Sequence, residues 1–355
     1  NSRLQKILFK NHNFAKYLTQ LCRRQLTSAA GSGGVPVDQR DSFAGGKQAS
    51  FRTDLHGRLW IRVYLPVAFI PGWSFEMSGS IKSAQKSAKP DLASRADRHR
   101  LYELSVQYAV SEIEFVDAAF RTLRGRRATL LREDFCGTAN VSCEWVRQRN
   151  GNRAIGVDID PEVLRWGEEH NLAKLSPSQR QRIELRCENV LKTPGQAPDI
   201  VLAMNFSYWL FKERKSLQRY FRRVRESLAE GGILFLDAYG GYDSFREIVE
   251  ERRIEEEGGF TYVWEQEKYE PVSGTLICHI HFEFPDGSRL ERAFSYDWRL
   301  WTLPEIRELL AEAGFSRTTV YWQGWDEDGE ADGDFKPVTE GESDAGWICY
   351  LSAEK

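Results

Sequence analysis

A nine-residue segment near the middle of the chain combines acidic, small and apolar residues in a way that suits a ligand-binding loop. It reads LREDFCGTA over residues 131–139 and lies between a predicted strand and a predicted helix. Gly137 lets the backbone approach a ligand closely, and the free amides at the start of the helix attract a carboxylate. Glu133 would repel a pyrophosphate but attract an ammonium group. The segment therefore favours a cofactor that carries an amino acid over a dinucleotide.

A second acid stands at the end of the next predicted strand. Asp158 follows Gly137 by 21 residues, within the segment IGVDIDP. A carboxylate at this place can accept hydrogen bonds from both hydroxyls of a ribose. Asp160 is expected to cap the helix that begins at Pro161. Ile159, between the two acids, is expected to contact the cofactor as well.

The turns after two further strands supply other candidate residues. After the third strand, Asn189 could hydrogen-bond the edge of an adenine while Val190 packs on its face, although asparagine is also common in ordinary turns. After the fourth strand, the segment NFSYW begins with Asn205, a further expected cofactor contact. Tyr208 and Tyr239 are candidates for accepting a proton or orienting an acceptor, and each could instead simply pack.

The cysteines and histidines do not predict a metal site. No CxxC pair occurs among the six cysteines, which argues against a disulfide framework and fits a reducing compartment. Cys136 has no base near it in sequence, so we expect it to pack beside the ligand and not to act as a thiolate. His279 and His281 alternate on one face of a predicted strand; a metal pair is one interpretation, and ordinary strand histidines are the favoured one.

Alternating strand and helix patterns predict an α/β fold with a doubly wound, mostly parallel seven-stranded sheet that ends in an antiparallel hairpin. The predicted strands cover residues 129–133, 153–158, 183–187, 199–204, 233–237, 317–322 and 346–352. Helices are predicted at residues 97–123, 139–148, 161–175, 217–228 and 303–313.

An insertion at about residues 240–300 interrupts this alternation of strands and helices. It is predicted to contain a short charged helix (244–257) and then an antiparallel β-meander with strands at 260–269, 275–284 and 289–298. We expect the meander to form a lid over the acceptor site, with Trp264, Tyr269, His279, His281 and Phe282 on it. The acidic stretch at 326–344 is interpreted as a solvated loop.

The order of these predicted strands, helices and motifs resembles that of class I S-adenosylmethionine-dependent methyltransferases over about residues 101–352. The segment LREDFCGTA is similar to the first motif of that family, with Glu133 at its acidic position and Gly137 at its middle glycine. Phe135 and Ala139 replace the outer glycines. Asp158 matches the ribose-binding acid, the place of a frequent aspartate is taken by asparagine at position 189, and LAEGGILFLD resembles the segment around the fifth strand.

The resemblance implies a Rossmann-like fold and S-adenosyl-L-methionine as the cofactor. Tyr102 is expected to reach its methionine part, and Phe135 and Cys136 are expected to lie beside it. The expected reaction is methyl transfer to a small molecule by in-line displacement, which mainly requires that acceptor and methyl are aligned and screened from water. Two alternatives are a catalytically silent methyltransferase-like subunit and, less favoured, a nicotinamide-dependent oxidoreductase.

Charge and composition restrict the partners. Residues 77–355 hold 38 Lys and Arg against 48 Asp and Glu, a net charge of −10 that opposes binding to nucleic acid. The basic cluster Arg219, Arg222, Arg223 and Arg225 is expected to be the solvated face of a helix. No run of 18 apolar residues exists, so no membrane partner is expected. The methyl acceptor and the oligomeric state do not follow from the sequence.

The first 76 residues differ from the rest, with 11 Lys and Arg against four Asp and Glu. They resemble either a transit segment or an upstream extension of a reading frame that begins at Met77, and the second interpretation is favoured. We therefore expect residues 1–76 to lie outside the domain, residues 77–96 to form a flexible linker and residues 97–355 to form the methyltransferase domain. The expected location is cytoplasmic, or organellar if the transit interpretation holds.

Overall fold

The computed structural model describes residues 49–53, 59–63, 90–193, 195–325 and 331–355. In the N-terminal part, β1 (Ala49–Thr53) and β2 (Leu59–Val63) form an antiparallel pair. The rest of the predicted extension and the predicted linker up to residue 89 lie outside the described residues. The proposed domain boundary at residue 77 therefore stays a prediction.

From residue 90 onward, helices and strands alternate. The first half contains α1 (Leu92–Arg95), α2 (Arg98–Ser105), α3 (Ala109–Arg124), β3 (Leu130–Asp134), α4 (Asn140–Gln148), β4 (Arg153–Asp158), α5 (Pro161–His170), α6 (Pro177–Arg180), β5 (Ile183–Cys187), β6 (Ile200–Ala203), α7 (Arg214–Ser227) and β7 (Ile233–Gly240). The second half contains β8 (Ile248–Ile254), β9 (Phe260–Glu270), β10 (Thr275–Glu283), β11 (Arg289–Arg299), α8 (Leu303–Glu312), β12 (Arg317–Trp325), β13 (Ala331–Val338) and β14 (Trp347–Glu354).

The main sheet has the strand order β13-β12-β14-β7-β6-β3-β4-β5 among the described residues. The five strands from β3 to β7 are parallel, and β14, β12 and β13 are antiparallel. Buried side chains alternate along the strands, so that Leu234 and Leu236 of β7 join one apolar cluster while Ile233 and Phe235 join the other. The sheet therefore has a core on each face, as in a doubly wound fold.

The sheet has one strand more than the seven predicted, because β13 lies within the stretch that we interpreted as an acidic loop. This strand pairs with β12 at the edge of the sheet. Phe335 packs against Phe115 and Tyr350, whereas Asp334 and Lys336 are exposed. Charged residues on the outer side of an edge strand are compatible with a sheet, so the number of acids misled the prediction.

The charged helix predicted at residues 244–257 is also wrong. Its residues form a 3₁₀ turn (Tyr242–Phe245) and the strand β8, which pairs with β9. Along β8, Arg252 and Ile254 are buried while Arg253 between them is exposed. Pairing with β9 and burial of one face thus override the helical preference of the Glu and Arg residues.

The inserted segment forms a four-stranded antiparallel sheet in the order β11-β10-β9-β8, which contains the predicted meander and adds β8 to it. Helix α1 lies within the predicted linker but is fixed to this sheet. Its first amides donate to Asp286 (2.9 Å, from Leu92) and Ser288 (3.0 Å, from Ala93) in the turn between β10 and β11.

The helix predicted at residues 97–123 is divided into α2 and α3 by a break at residues 106–108. The break places Glu112 in the first turn of α3, where it points to the interior and is buried. Within the described ranges, no helix has the length and apolar character needed to cross a membrane.

Candidate active site

The loop between β3 and α4 has the backbone of a glycine-rich turn although it contains only one glycine. Phe135, Gly137 and Ala139 have φ values of +59°, +51° and +57°, all in the left-handed region. A residue with a side chain is strained there by roughly 1–2 kcal/mol. The amide of Cys136 donates to the carbonyl of Val157 on β4 (3.0 Å), which holds the loop against the end of the sheet.

Glu133 connects this loop to α4. One oxygen of its carboxyl group accepts from the amide of Ser142 (2.9 Å) and from its hydroxyl (2.6 Å). Ala139 has no side chain that could cap the helix, so Glu133 supplies the cap from the end of β3. Burial raises the pKa of Glu133 to about 8, and the bonds to Ser142 oppose this rise.

Asp158 closes the loop from the other side. One oxygen of its carboxylate accepts from the amide of Gly137 (2.8 Å), and the other accepts from the amide of Asp160 (3.0 Å). Each carboxylate oxygen has a second lone pair, so Asp158 can still accept two hydroxyl groups. Next to it, the side chain of Ile159 is 66 % exposed and offers a free apolar surface. The predicted cap is confirmed: Asp160 accepts from the amide of Glu162 (2.8 Å).

Gly137, Asp158 and Ile159 line a cavity of about 470 Å³ at the carboxyl ends of the parallel strands. Of the two cavities described in this section it is the larger, and we call it the larger cavity. Of the ten predicted cofactor contacts, those that line it are Tyr102, Glu133, Phe135, Cys136, Gly137, Asp158, Ile159 and Asn205. The other two, Asn189 and Val190, do not line it. Asn189 accepts from the amide of Leu191 within its own turn (2.9 Å), and Val190 is buried in the core.

Cys136 is packed in the wall of the larger cavity and is only 1 % exposed. Burial raises the pKa of its thiol well above the ordinary value, so a thiolate is disfavoured. This geometry agrees with the predicted packing role.

One residue that sequence reasoning missed holds α2 against the loop between β3 and α4 (residues 135–139), which we call the cofactor loop after its predicted role. An oxygen of the Glu103 carboxylate accepts from the hydroxyl of Thr138 (2.7 Å) and from the side-chain amide of Asn171 (2.5 Å). All three side chains are buried. Helix α2 contributes His99 and Tyr102 to the wall of the larger cavity. No local pattern marks Glu103, because its partners are more than 30 residues away along the chain.

The turn after β6 forms the boundary of a second cavity. Asn205 and Phe206 have φ values of +56° and +55°, and their amides both donate to the carboxyl group of Asp237 (2.7 and 2.9 Å). Two consecutive residues with side chains in the left-handed region store strain, which is commonly found at functional sites. Burial raises the pKa of Asp237 to about 7.

The second cavity has a volume of about 130 Å³, and we call it the aromatic cavity. Residues of β9, β10 and β11 form one wall. The rest is formed by α2 and the break after it, α3, the turn after β6, β7 and the last strands. It shares residues with the larger cavity, namely Tyr102, Glu112, Met204, Asn205, Tyr296 and Trp298. A group bound in one cavity can therefore meet a group bound in the other.

The two candidate catalytic tyrosines line neither cavity. The hydroxyl of Tyr208 is fully buried and donates to the carbonyl of Asp237 (2.7 Å). The hydroxyl of Tyr239 donates to the amide oxygen of Gln266 (3.2 Å). A catalytic role for Tyr208 and Tyr239 stays a prediction that this geometry does not support.

Among the five residues expected on the lid, Trp264 alone lines the aromatic cavity. Phe282 is buried in the core, and Tyr269 packs against Phe245. His279 and His281 lie on the opposite face of β10 from Ile280, which does line the cavity.

Both histidines have hydrogen-bonding partners on neighbouring strands. His279 contacts Glu267 (2.6 Å) and Ser295 (2.8 Å), and His281 lies between Glu265 (2.9 Å) and a further carboxylate on β11. In the described part of the chain, no group of three or more His, Cys, Asp or Glu residues is arranged to hold a metal ion. The favoured interpretation as ordinary strand histidines fits this geometry.

Comparison with known proteins agrees with the site. Residues 136–234 match the family model of a methyltransferase domain. No curated protein matches the sequence significantly.

Several solved structures have a similar fold. The protein DesVI from Streptomyces venezuelae has a TM-score of 0.54 at 15 % identity, covering 75 % of this chain and 99 % of its own. The amino pentose methyltransferase CalS10 from Micromonospora echinaspora has a TM-score of 0.52 at 15 % identity, covering 72 % and 96 %. A methyltransferase from Clostridium acetobutylicum has a TM-score of 0.51 at 17 % identity, covering 72 % and 96 %.

The chain therefore carries a methyltransferase domain with the fold of the class I S-adenosylmethionine-dependent methyltransferases. S-adenosyl-L-methionine is the methyl donor of this class. The predicted α/β fold and the predicted enzyme class are confirmed.

Proposed function

We propose that this protein transfers the methyl group of S-adenosyl-L-methionine to a small molecule that binds in the aromatic cavity. The observation that carries the proposal is the junction of the two cavities at Tyr102, Asn205 and Tyr296. A methyl group held at this junction can be approached by an acceptor from the opposite side, as an in-line displacement requires.

The residues of the larger cavity suit this cofactor. Asp158 has two free lone pairs for the ribose hydroxyls, and Ile159 offers an exposed apolar surface for the adenine. Glu133 lines the same cavity, and a bound ammonium group would favour its charged form and so lower its raised pKa. Bound there, S-adenosylmethionine supplies an electrophilic methyl group on a good leaving group.

The protein chain also positions the reacting groups and shields them from water. The left-handed turns at Phe135 and Asn205 fix the loops on both sides of the junction. Tyr102, Trp264 and Trp298 line the aromatic cavity, and their rings would limit the access of water to the reacting groups. The inserted sheet would thus act as the lid that the sequence predicts.

Calorimetric titration of the full chain tests this proposal, with S-adenosylmethionine, S-adenosylhomocysteine and NAD as ligands. Two hydrogen bonds to a charged acceptor contribute roughly 1.5–3 kcal/mol each, so Asp158→Ala should weaken binding of the sulfur nucleosides by about a hundredfold or more. Glu114→Ala removes an exposed carboxylate that lines neither cavity and should leave the affinity unchanged. Binding of NAD alone would indicate an oxidoreductase, and binding of no ligand would indicate a silent subunit; either result would refute the proposal.

A further inference from the structure

Nine aromatic residues line the aromatic cavity. Five of them lie on α2 and the inserted sheet, and we call these the aromatic cage: Tyr102, Tyr262, Trp264, Tyr296 and Trp298. The rings of Tyr296 and Trp298 stack with their centroids 4.3 Å apart, and Trp264 packs against both. Burial holds the pKa of Tyr102, Tyr262 and Tyr296 above the ordinary value, so these phenols stay neutral. Neutral aromatic rings present faces of negative potential, which attract a cation.

Two acidic side chains line the same cavity. Glu112 is 5 % exposed, and one of its carboxyl oxygens is buried without a hydrogen-bonding partner. Asp237 is 6 % exposed and is held by two backbone amides. Within the described ranges, no lysine or arginine lines this cavity. Arg252 lies over the ring of Tyr262 but donates to the hydroxyl of Tyr108 and is not part of the lining.

A buried acid without a cationic partner is costly for the fold. Burial raises the pKa of Glu112 to about 7, against a backbone hydrogen bond at Tyr108 that lowers it. Glu112 in turn contributes to the raised pKa of Asp237. Glu112 and Asp237 thus share one cavity in which none of the described lining residues supplies a positive charge, and a bound cation would offset the cost of burying them.

We infer that the methyl acceptor is an amine: the aromatic cage and Glu112 bind its ammonium group, and the carboxylate of Glu112 accepts the proton that the nitrogen must lose. This inference rests on the proposed methyl transfer and specifies its substrate class. A carboxylate acceptor would be repelled by the two acids, and a neutral hydroxyl would leave the charge of Glu112 without a partner.

The methyl transfer requires only the acceptor amine, the methyl donor and Glu112. The ammonium transfers one proton to Glu112, and the lone pair of the neutral nitrogen then attacks the methyl carbon. A carbon–nitrogen bond forms while the carbon–sulfur bond breaks, and its electron pair stays on sulfur as a thioether. The positive charge passes from the sulfonium to the methylated nitrogen. Glu112 stabilises the ammonium before it takes up the proton, and the carboxylate of Asp237 stabilises the positive charge that the methyl transfer leaves on nitrogen.

Choline and 3,3-dimethylbutan-1-ol test the inference without turnover, because they have the same shape and differ in charge. Their binding to the full chain, saturated with S-adenosylhomocysteine, is followed by the fluorescence of the cage tryptophans. Choline should bind about tenfold more tightly or better, as expected for a desolvated cation on aromatic faces. Equal affinities, a preference for the alcohol, or no binding of choline at its highest soluble concentration would overturn the inference.

Three variants assign the charge to Glu112. Glu112→Gln keeps the shape of the side chain and should remove most of the preference for choline, while Glu114→Gln on the exposed side of the same helix should keep it. Because choline does not titrate, its affinity should rise with pH around an apparent pKa of about 7. The rise should shrink in Glu112→Gln and vanish when Asp237→Asn is added; an unchanged pH profile in both variants would refute the role of the two acids.

The result is distinguishable from a failure of the proposed function. If S-adenosylhomocysteine binds and choline is not preferred, the amine inference is wrong while the methyl transfer still stands. If S-adenosylhomocysteine does not bind, the proposed function fails, and the inference that rests on it fails too.

Discussion

Removing the carboxylate of Glu103 should weaken cofactor binding even though this side chain lines neither cavity. Glu103 joins α2 to Thr138 in the cofactor loop and to Asn171 after α5, at 2.7 and 2.5 Å. Hydrogen bonds to a charged group contribute roughly 1.5–3 kcal/mol each, so the pair stabilises the docked helix by about 3–6 kcal/mol. Water that replaces the carboxylate recovers part of this, which leaves a net loss of about 3 kcal/mol in Glu103→Ala.

This loss converts into affinity because α2 forms one wall of the larger cavity. With 1.4 kcal/mol for each factor of ten, S-adenosylhomocysteine should bind Glu103→Ala about a hundredfold more weakly. Glu103→Gln keeps an acceptor oxygen but makes both hydrogen bonds neutral, so its loss should be about tenfold. Titration calorimetry measures both affinities, and hydrogen exchange of residues 98–105 should become faster in the same order.

Arg100→Ala is the matched control for this experiment. Arg100 lies 3.7 Å from the same carboxylate, but its side chain is 39 % exposed. An exposed ion pair of this kind contributes about 0–1 kcal/mol, so this variant should bind almost as the wild type does. Unchanged affinity and unchanged exchange of α2 in Glu103→Ala would refute the reasoning.

Three further predictions concern other parts of the structure. Asp134→Leu should lower the free energy of unfolding by about 3–5 kcal/mol, because it leaves the buried guanidinium of Arg132 unpaired, and adding Arg132→Met should recover most of this loss in urea denaturation. Strictly additive losses would contradict this. Gly167→Ala should lower the melting temperature and weaken binding of S-adenosylhomocysteine, since a Cβ there would lie 2.5 Å from a carbonyl oxygen of the cofactor loop; Gly151→Ala, with nothing within 4 Å, should do neither. Glu133 has its pKa raised to about 8 in the folded state, so the native state holds the extra proton and wild-type stability falls as the pH rises from about 4.5 to 8. Glu133→Gln should therefore be relatively more stable above pH 8 than below pH 4.5, and a pH-independent difference would show that this carboxyl group does not titrate as described.

The parallel half of the sheet could be predicted from the sequence because local patterns determine it. Strands β4 and β5 have the predicted bounds, and α5 begins at the predicted proline. The acids Glu133 and Asp158 stand at strand ends, where sheet topology itself brings them to one edge. These residues were identifiable because their chemistry and their position are both encoded within a few residues.

The residues that the sequence did not reveal depend on distant partners. Glu112 and Glu103 read as ordinary helix acids, and only packing against β9, β11 and the cofactor loop gives them buried surroundings. Strand β8 reads as a charged helix until its pairing with β9 is known. Tyr208 was the opposite case, since its place after β6 indicated chemistry while its hydroxyl is bonded to the backbone.

Strands β8 to β11 come from one uninterrupted stretch of sequence, which begins after β7 and ends before α8. Four of the five rings of the aromatic cage come from this stretch, whereas the loops at Gly137 and Asp158 come from a separate part of the chain. On the proposed function, changes within this single segment would alter which acceptor is bound and would leave the donor site unchanged. In evolution or in the laboratory, grafting this segment between relatives is a direct way to diversify the substrates of the fold.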